Sequence, residues 1–370
     1  MSAFTYIYGM ELFTKIDIPA SSIRIDYTSR IAFFGSCFAD NISAQFAARK
    51  FGVLANPFGT VYNPVSIAGQ IRAIADGKVF KEEDVFQDAR GTQGASGKQD
   101  ARGPWYSWDA HGSLSGATRE ECIAKLNDAA SCAREFLQQA NIVFITLGTA
   151  FVYYLKDGDS SSVGDAHGRA VANCHRQAPA LFERRMITVE EAAQALESIV
   201  QDLHRVNPKA HIVFTVSPLR HMADGAHNNT LSKATLQLAV NEIVKRGSGT
   251  AATPATYFPS YEIVMDELRD YRFYDSDMVH LSEIAEEYIF ERMVGYYCDE
   301  NTRTNIARVE KFMKMANHRI TDPDSPATKN FLQKIRNEAI ILESQIPGLD
   351  LKLPQGGSQA TSCCKARYPY

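Results

Sequence analysis

The chain has 370 residues, 45% of them hydrophobic and 22% charged, the balance of an ordinary soluble globular enzyme. Its net charge of −4, with Lys and Arg scattered rather than clustered, argues against nucleic acid or an anionic membrane surface as a partner. The length fits one large α/β domain with additions, or two domains.

Seven cysteines (Cys37, Cys122, Cys132, Cys174, Cys298, Cys363, Cys364) are odd in number, with no CxxC pair and no zinc-type Cys/His spacing. They read as reduced thiols, and no metal or organic cofactor is implied. Residues 1–19 lack an apolar core of signal-peptide length and are interrupted by Glu11, Lys15 and Asp17. No segment reaches the ~18 uncharged apolar residues a membrane helix needs. The expectation is a cytoplasmic protein, with Met10 as an alternative start.

In chain order, the apolar run 31–34 ends at Gly35-Ser36 and predicts a strand. Phe38, Ile42 and Phe46 then recur every four residues, as on one buried helix face. Residues 88–104 are rich in glycine and polar groups and carry DARG twice, a composition that predicts a mobile loop or lid. Gly97-Lys98 within it is no phosphate loop: Thr92 stands where the first glycine is needed, and Gln99 replaces the Ser/Thr. A second strand is predicted over Ile142–Leu147, ending at Gly148-Thr149.

Thr188 and Glu191 have capping-box spacing before Ala192, Leu196, Ile199, Val200 and Leu203, and Asn207-Pro208 ends that helix. Residues 212–216 form a third strand ending at Ser217-Pro218. Leu236, Val240, Ile243 and Val244 mark another helix, and 257–258 a last short strand before Pro259-Ser260. Runs this continuous suit strands buried on both faces, and their alternation with helices predicts a parallel α/β sheet. Residues 303–346 read as two amphipathic helices, marked by Ile306, Val309, Phe312 and Met313, then by Phe331, Ile335, Ala339 and Leu342. Residues 348–370 read as a disordered tail.

A serine hydroxyl becomes a nucleophile when a base takes its proton and donors stabilise the oxyanion. Ser36 lies where a strand gives way to a helix, at an N-terminus whose N–H groups favour a developing anion. A helix-capping role accounts for a Gly-Ser there equally well. Asp277 and His280 form a D-x-x-H pair before another helix, for which Ser282 is the N-cap. At that spacing one loop can present both, the carboxylate holding imidazole Nδ1–H and leaving Nε2 for the serine. Cys37 is a rival nucleophile, but one residue along a helix points its side chain about 100° away from that of Ser36.

FGSCFADNI (34–42) resembles the motif that names the GSCFA family, which belongs with the SGNH hydrolases. NPFGTVYNPVSI (56–67), TLGTAFVY (146–153), VANCH (171–175), FTVSPLRH (214–221) and YFPSYEIVMDELRDYRFYDSDMVH (257–280) are similar to further family segments. The resemblance covers roughly residues 10–300. It implies a flavodoxin-like SGNH three-layer sandwich over 10–300, with helices over 301–347 packed on it. It also implies an esterase or acyltransferase acting on O-acyl groups of a small molecule or carbohydrate. Ser36 then resembles the nucleophile, Asp277 and His280 the last-block pair, and Gly59 the glycine that joins the Ser36 N–H in the oxyanion hole.

The third SGNH block normally reads G-x-N-D, whereas Gly148-Thr149-Ala150 stands here. The asparagine donor is missing, and its place falls to Thr149, to Asn173 or to neither; losing such a donor costs on the order of 10²–10³ in rate. A non-catalytic carbohydrate- or acyl-binding protein on a degenerate scaffold is the competing expectation. Leu281 follows the histidine where the family commonly has proline. Candidate substrate contacts are His175, Arg220 and His221 near strand ends, and Trp108 and His111 beyond the 88–104 loop. Arg220 could hold a carboxylate or phosphate, or make a structural ion pair.

Overall fold

The computed structural model describes residues 14–18, 21–88, 103–156, 168–247, 255–318, 322 and 325–351. In chain order its elements begin with β1 (Arg30–Gly35), α1 (Cys37–Ala48), β2 (Gly52–Ala55), α2 (Pro64–Ala75), β3 (Phe86–Gln87), β4 (Trp105–Tyr106) and α3 (Arg119–Leu137). There follow β5 (Ile142–Leu147), β6 (Phe151–Leu155), β7 (Ala170–Val171), β8 (Phe182–Met186), α4 (Val189–Val206), β9 (His211–Val216) and α5 (Ala226–Gly247). The chain continues through β10 (Thr256–Tyr257), the short α6 (Ser260–Glu262), α7 (Glu283–Tyr297), α8 (Glu300–Ala316) and α9 (Pro326–Gln345).

Five strands form a parallel sheet in the order β10-β9-β5-β1-β2. Counting these strands along the chain, the order is 2-1-3-4-5, that of flavodoxin-like folds. The direction of winding reverses between β1 and β5, whose carboxyl ends therefore part to leave a crevice. Gly35 pairs with Thr146 across this switch point, so Ser36 and Gly148 emerge on its two sides.

The apolar strand residues alternate between two cores. Ala32, Phe34, Val143, Ile145, Leu147, Ile212 and Phe214 face one core, with residues of α2, α3, α4 and α5. Ile31, Phe33, Ile142, Phe144 and Val213 face the other, with residues of α1, α7, α8 and α9. Burial on both faces is the physical reason these strands read as unbroken apolar runs. Each fully buried Phe or Ile contributes roughly 1.5–3 kcal/mol, so this three-layer arrangement holds the strand ends rigidly. The C-terminal helices complete the second core through Ile306, Val309, Phe312, Ile335, Ala339 and Leu342.

The predicted capping box is formed: Thr188 Oγ accepts from the Glu191 N–H, and the Glu191 carboxylate accepts from the Thr188 N–H. Two smaller sheets lie outside the sequence expectations, β7-β6-β8 and the ribbon β3-β4. That ribbon pairs Phe86 with Tyr106 and Gln87 with Trp105, closing the base of the glycine-rich segment. The expected lid over 88–104 lies outside the described residues except at its two ends. Of the tail expected to be disordered over 348–370, Leu349 and Leu351 are instead buried in the second core, and the rest lies outside the described residues from 352. No helix among the described residues is long and apolar enough to cross a membrane.

Candidate active site

Gly35 ends β1 at φ +131°, in a region that disfavours any Cβ. A Cβ there would lie 2.0 Å from the Thr146 carbonyl oxygen. Strand and helix therefore join through a turn only glycine fits. Ser36 follows at the N-cap of α1, with φ −70° and ψ 171°, yet its side chain makes no capping bond. Its Oγ is buried and has no hydrogen-bond partner, and the residue is 1% exposed. The turn is fixed from behind by Asn56, whose Oδ1 accepts from the Gly35 N–H at 2.8 Å and whose Nδ2 donates to Asp40 at 2.7 Å. The Thr60 hydroxyl donates to the other Asp40 oxygen, also at 2.7 Å. Burial raises the Asp40 pKa, and these two donors oppose the rise.

Asp277 and His280 are joined as their spacing predicts. Asp277 Oδ2 meets His280 Nδ1 at 2.5 Å, and Oδ1 accepts from the N–H groups of Val279 and His280, both at 2.9 Å. Met278 between them takes φ +60°, which lets so short a loop close. The Asp275 N–H donates to the His280 carbonyl at 2.8 Å, and the Ser282 N–H donates to that of Phe273 at 3.0 Å. The bond from the imidazole, aided by the backbone donors, lowers the Asp277 carboxyl pKa to about 2. A ring nitrogen facing a carboxylate carries a proton, so Nε2 is left to act as base.

The loop leads into α7, which packs on the helix that follows Ser36. Helix α1 packs against α7, and Asn41 of α1 bonds Glu286 of α7. Ser36 Oγ nevertheless makes no hydrogen bond to the imidazole.

The oxyanion donors inferred from the sequence are mostly engaged elsewhere. The Ser36 N–H donates to the Thr146 carbonyl at 3.1 Å, extending the β1–β5 ladder by one residue, and the Gly59 N–H donates to the Asn56 carbonyl at 2.7 Å. Gly59 answers a steric need instead: a Cβ would lie 2.3 Å from His111 Cβ. Thr149 Oγ1 is 3.1 Å from Ser232 Oγ and accepts from the Phe151 N–H at 3.1 Å. Asn173 Oδ1 accepts from the His175 N–H at 2.8 Å. In the α1 first turn the N–H groups of Cys37 and Phe38 have no carbonyl acceptor within the helix and turn to the Cys37 sulfur, and that of Thr60 makes no backbone bond. The Cys37 thiol is pushed up by burial and by Asp40, which counts against a thiolate nucleophile.

The aromatic candidates anchor the loop stems. The Trp108 ring stacks on Phe86 at 3.8 Å. His175 is buried, with Nε2 2.8 Å from the Ser107 carbonyl and its ring stacked on Tyr106 at 4.4 Å. His111 packs beside Gly59, and its Nδ1 accepts from the Ser113 N–H at 3.2 Å. His221 sets its ring edge against Tyr62 at 5.4 Å, and burial first, then the Lys233 charge, lowers its pKa to about 4. A separate cleft of about 670 Å³ includes Gln70, Asp109 and Arg185 but none of the predicted site residues.

Sequence reasoning missed Lys233. It is 2% exposed, and its Nζ donates to the Gly148 carbonyl at 2.6 Å and the Ser217 carbonyl at 2.7 Å. It thus ties together the carboxyl ends of β5 and β9. Burial lowers its pKa to about 7, with Cys37 opposing and Arg220 reinforcing. A signal was present: Ser232, Lys233, Leu236, Ala239, Val240 and Ile243 follow helical spacing, and all are buried. Lys233 is a cation in phase with an apolar stripe.

No curated protein matches the chain. Among solved structures it is similar to a carbohydrate esterase family 3 protein from Talaromyces cellulolyticus at 10% identity, over 76% of this chain and 99% of that one, with a TM-score of 0.28. The model of the GSCFA family matches residues 30–293, a span that holds the Gly35-Ser36 turn, the switch-point strands and the Asp277–His280 loop, and the chain belongs to that family.

Proposed function

We propose that the protein is a serine ester hydrolase that cleaves O-acyl groups through an acyl-enzyme. The observation that carries the reading is Ser36: an N-cap serine that does not cap, with a buried hydroxyl that bonds nothing. A helix cap contributes about 1 kcal/mol, and an unsatisfied buried hydroxyl costs about 1–3 kcal/mol. An arrangement unfavourable on both counts, at a switch point of the sheet, is characteristic of a reacting group, and the bonded Asp277–His280 pair supplies the base that such a serine needs.

In the mechanism, His280 Nε2 takes the proton from Ser36 Oγ as the oxygen attacks the ester carbonyl carbon. The negative oxygen of the tetrahedral intermediate is held by first-turn N–H groups of α1, those of Cys37 and Phe38, which exchange the Cys37 sulfur for it. Collapse breaks the bond to the alcohol, which receives its proton from His280. Water then attacks the acyl-enzyme with His280 again as base, releasing the acid and restoring Ser36. Asp277 keeps the imidazole in the required tautomer throughout. A sugar hydroxyl in place of water would make the protein an acyltransferase with the same covalent step. The reaction requires His280 to approach Ser36 more closely than in the structure; catalytic contacts are often loose before substrate binds.

A binding protein on the same scaffold is favoured by one observation, that the Ser36 and Gly59 N–H groups already have acceptors. The two readings separate on incubation with a fluorophosphonate and intact-mass analysis. The hydrolase adds one phosphonyl group, lost in Ser36→Ala and greatly slowed in His280→Ala, and turns over p-nitrophenyl acetate. Wild type without an adduct and without turnover overturns the hydrolase.

A further inference from the structure

Two basic side chains, Arg220 and Lys233, flank the Ser217 end of β9, and neither makes an ion pair among the described residues. Arg220 follows β9 on the Ser217–His221 segment, half-buried. Among the described residues its guanidinium makes one hydrogen bond, from a terminal nitrogen to Met265 Sδ at 3.8 Å, and no ion pair. Lys233 is close enough to feel the Arg220 charge, and its own two bonds go to backbone carbonyls. The carboxylates nearby are taken. Asp224 pairs with Arg184 at 2.5 Å, Glu286 accepts from Asn41, Asp40 accepts from Asn56 and Thr60, and Asp277 holds His280.

A half-buried guanidinium and a buried ammonium near one another repel, and proteins ordinarily place a counter-ion between like charges. Where none is built in, an incoming anion is the missing partner. A guanidinium suits that role, because its fork of donors matches a carboxylate or phosphate. The position suits it too: the carboxyl ends of β5 and β9 border the switch point at which Ser36 emerges, and neighbouring strands lie about 4.8 Å apart.

We propose that Arg220, backed by the buried Lys233, forms a subsite for an anionic group of the substrate, so that the preferred ester is one bearing a carboxylate or a phosphate. This deepens the hydrolase reading and rests on it. The anion can belong to the acyl group or to the alcohol, and paired substrates tell these apart. Mono-p-nitrophenyl succinate against p-nitrophenyl butyrate places the charge on the acyl side. O-acetylated glucuronic acid against O-acetylated glucose places it on the alcohol side.

A charge-assisted bidentate contact out of water is worth tenfold or more in kcat/KM, roughly. Wild type is expected to prefer the acidic member of one pair by at least about tenfold, and Arg220→Met to bring that ratio to within about twofold. Arg220→Lys, which keeps the charge and loses the fork, should fall between. Equal use of acidic and neutral esters by a wild type that still labels at Ser36 overturns the subsite and leaves the hydrolase standing. If there is neither labelling nor turnover, the subsite is judged by calorimetric titration of inorganic phosphate into the whole chain. Binding that is lost in Arg220→Met supports it, and absence of binding overturns it.

Discussion

A serine or threonine at a helix N-cap normally lends its oxygen to an N–H of the first turn. Thr188 does so for α4, Ser282 for α7 and Ser325 for α9. Ser36, at the equivalent position of α1, does not. The two kinds of serine should respond oppositely to alanine. Ser282→Ala is expected to lose about 1 kcal/mol of stability in urea unfolding. Ser36→Ala removes an unsatisfied hydroxyl and is expected to leave stability unchanged or raise it by up to ~1 kcal/mol. A loss at Ser36 equal to that at Ser282 would return it to the ordinary caps. Residue types at motif spacing were legible in the sequence: Gly35-Ser36 at a strand end, and a D-x-x-H pair able to close on itself. What each donor is bonded to was not. That the Ser36 N–H continues the β1–β5 ladder, and that Thr149 is held by Ser232, depends on partners far along the chain.

At the scale of elements, the turn between β1 and α1 is held by a polar network rather than by apolar packing. Asn56 is its hub: it serves the Gly35 N–H and Asp40 together, in a residue 9% exposed. Asn56→Ala leaves the Gly35 N–H without its acceptor and takes one donor from Asp40. A loss of about 2–3 kcal/mol in urea unfolding is expected, with slower fluorophosphonate labelling because Ser36 is no longer fixed. A loss below ~0.5 kcal/mol would mean that water takes over both bonds. The longer elements were read from periodicity because burial dictates it, as with Phe38, Ile42 and Phe46 on α1. Strand β2 escaped notice because it is four residues long and only Leu54 of it is fully buried. The β7-β6-β8 sheet escaped because Glu183, Arg184 and Arg185 break any apolar run through β8.

At the scale of the whole molecule, alternating elements predicted a parallel sheet, but nothing local encodes that β5 lies beside β1. That placement, set by the packing of both cores, brings Ser36, Gly148 and Ser217 to one edge and buries Lys233 beneath it. The burial has a consequence for global stability. Below about pH 7 the lysine holds its proton both folded and unfolded, so the full penalty of a buried charge is present and does not vary with pH. Between about 7, its folded value, and the ordinary lysine value near 10.4, only the unfolded chain keeps the proton. Unfolding then takes up protons, and this residue's contribution becomes less unfavourable as pH rises. Above that window the contribution is again level. Lys233→Met removes the titration along with two hydrogen bonds, so its absolute stability mixes several effects, whereas the pH trend of the difference isolates one. Urea unfolding of wild type and Lys233→Met at intervals from pH 6 to 10 should show the wild type gaining on the variant steadily above about pH 7. A constant difference across that range would mean that Lys233 titrates like a lysine in water and that its charge is compensated inside the fold. Anion binding beside it should keep the proton on, so saturating phosphate is expected to move the onset of the rise to higher pH in wild type and to leave Lys233→Met unaffected.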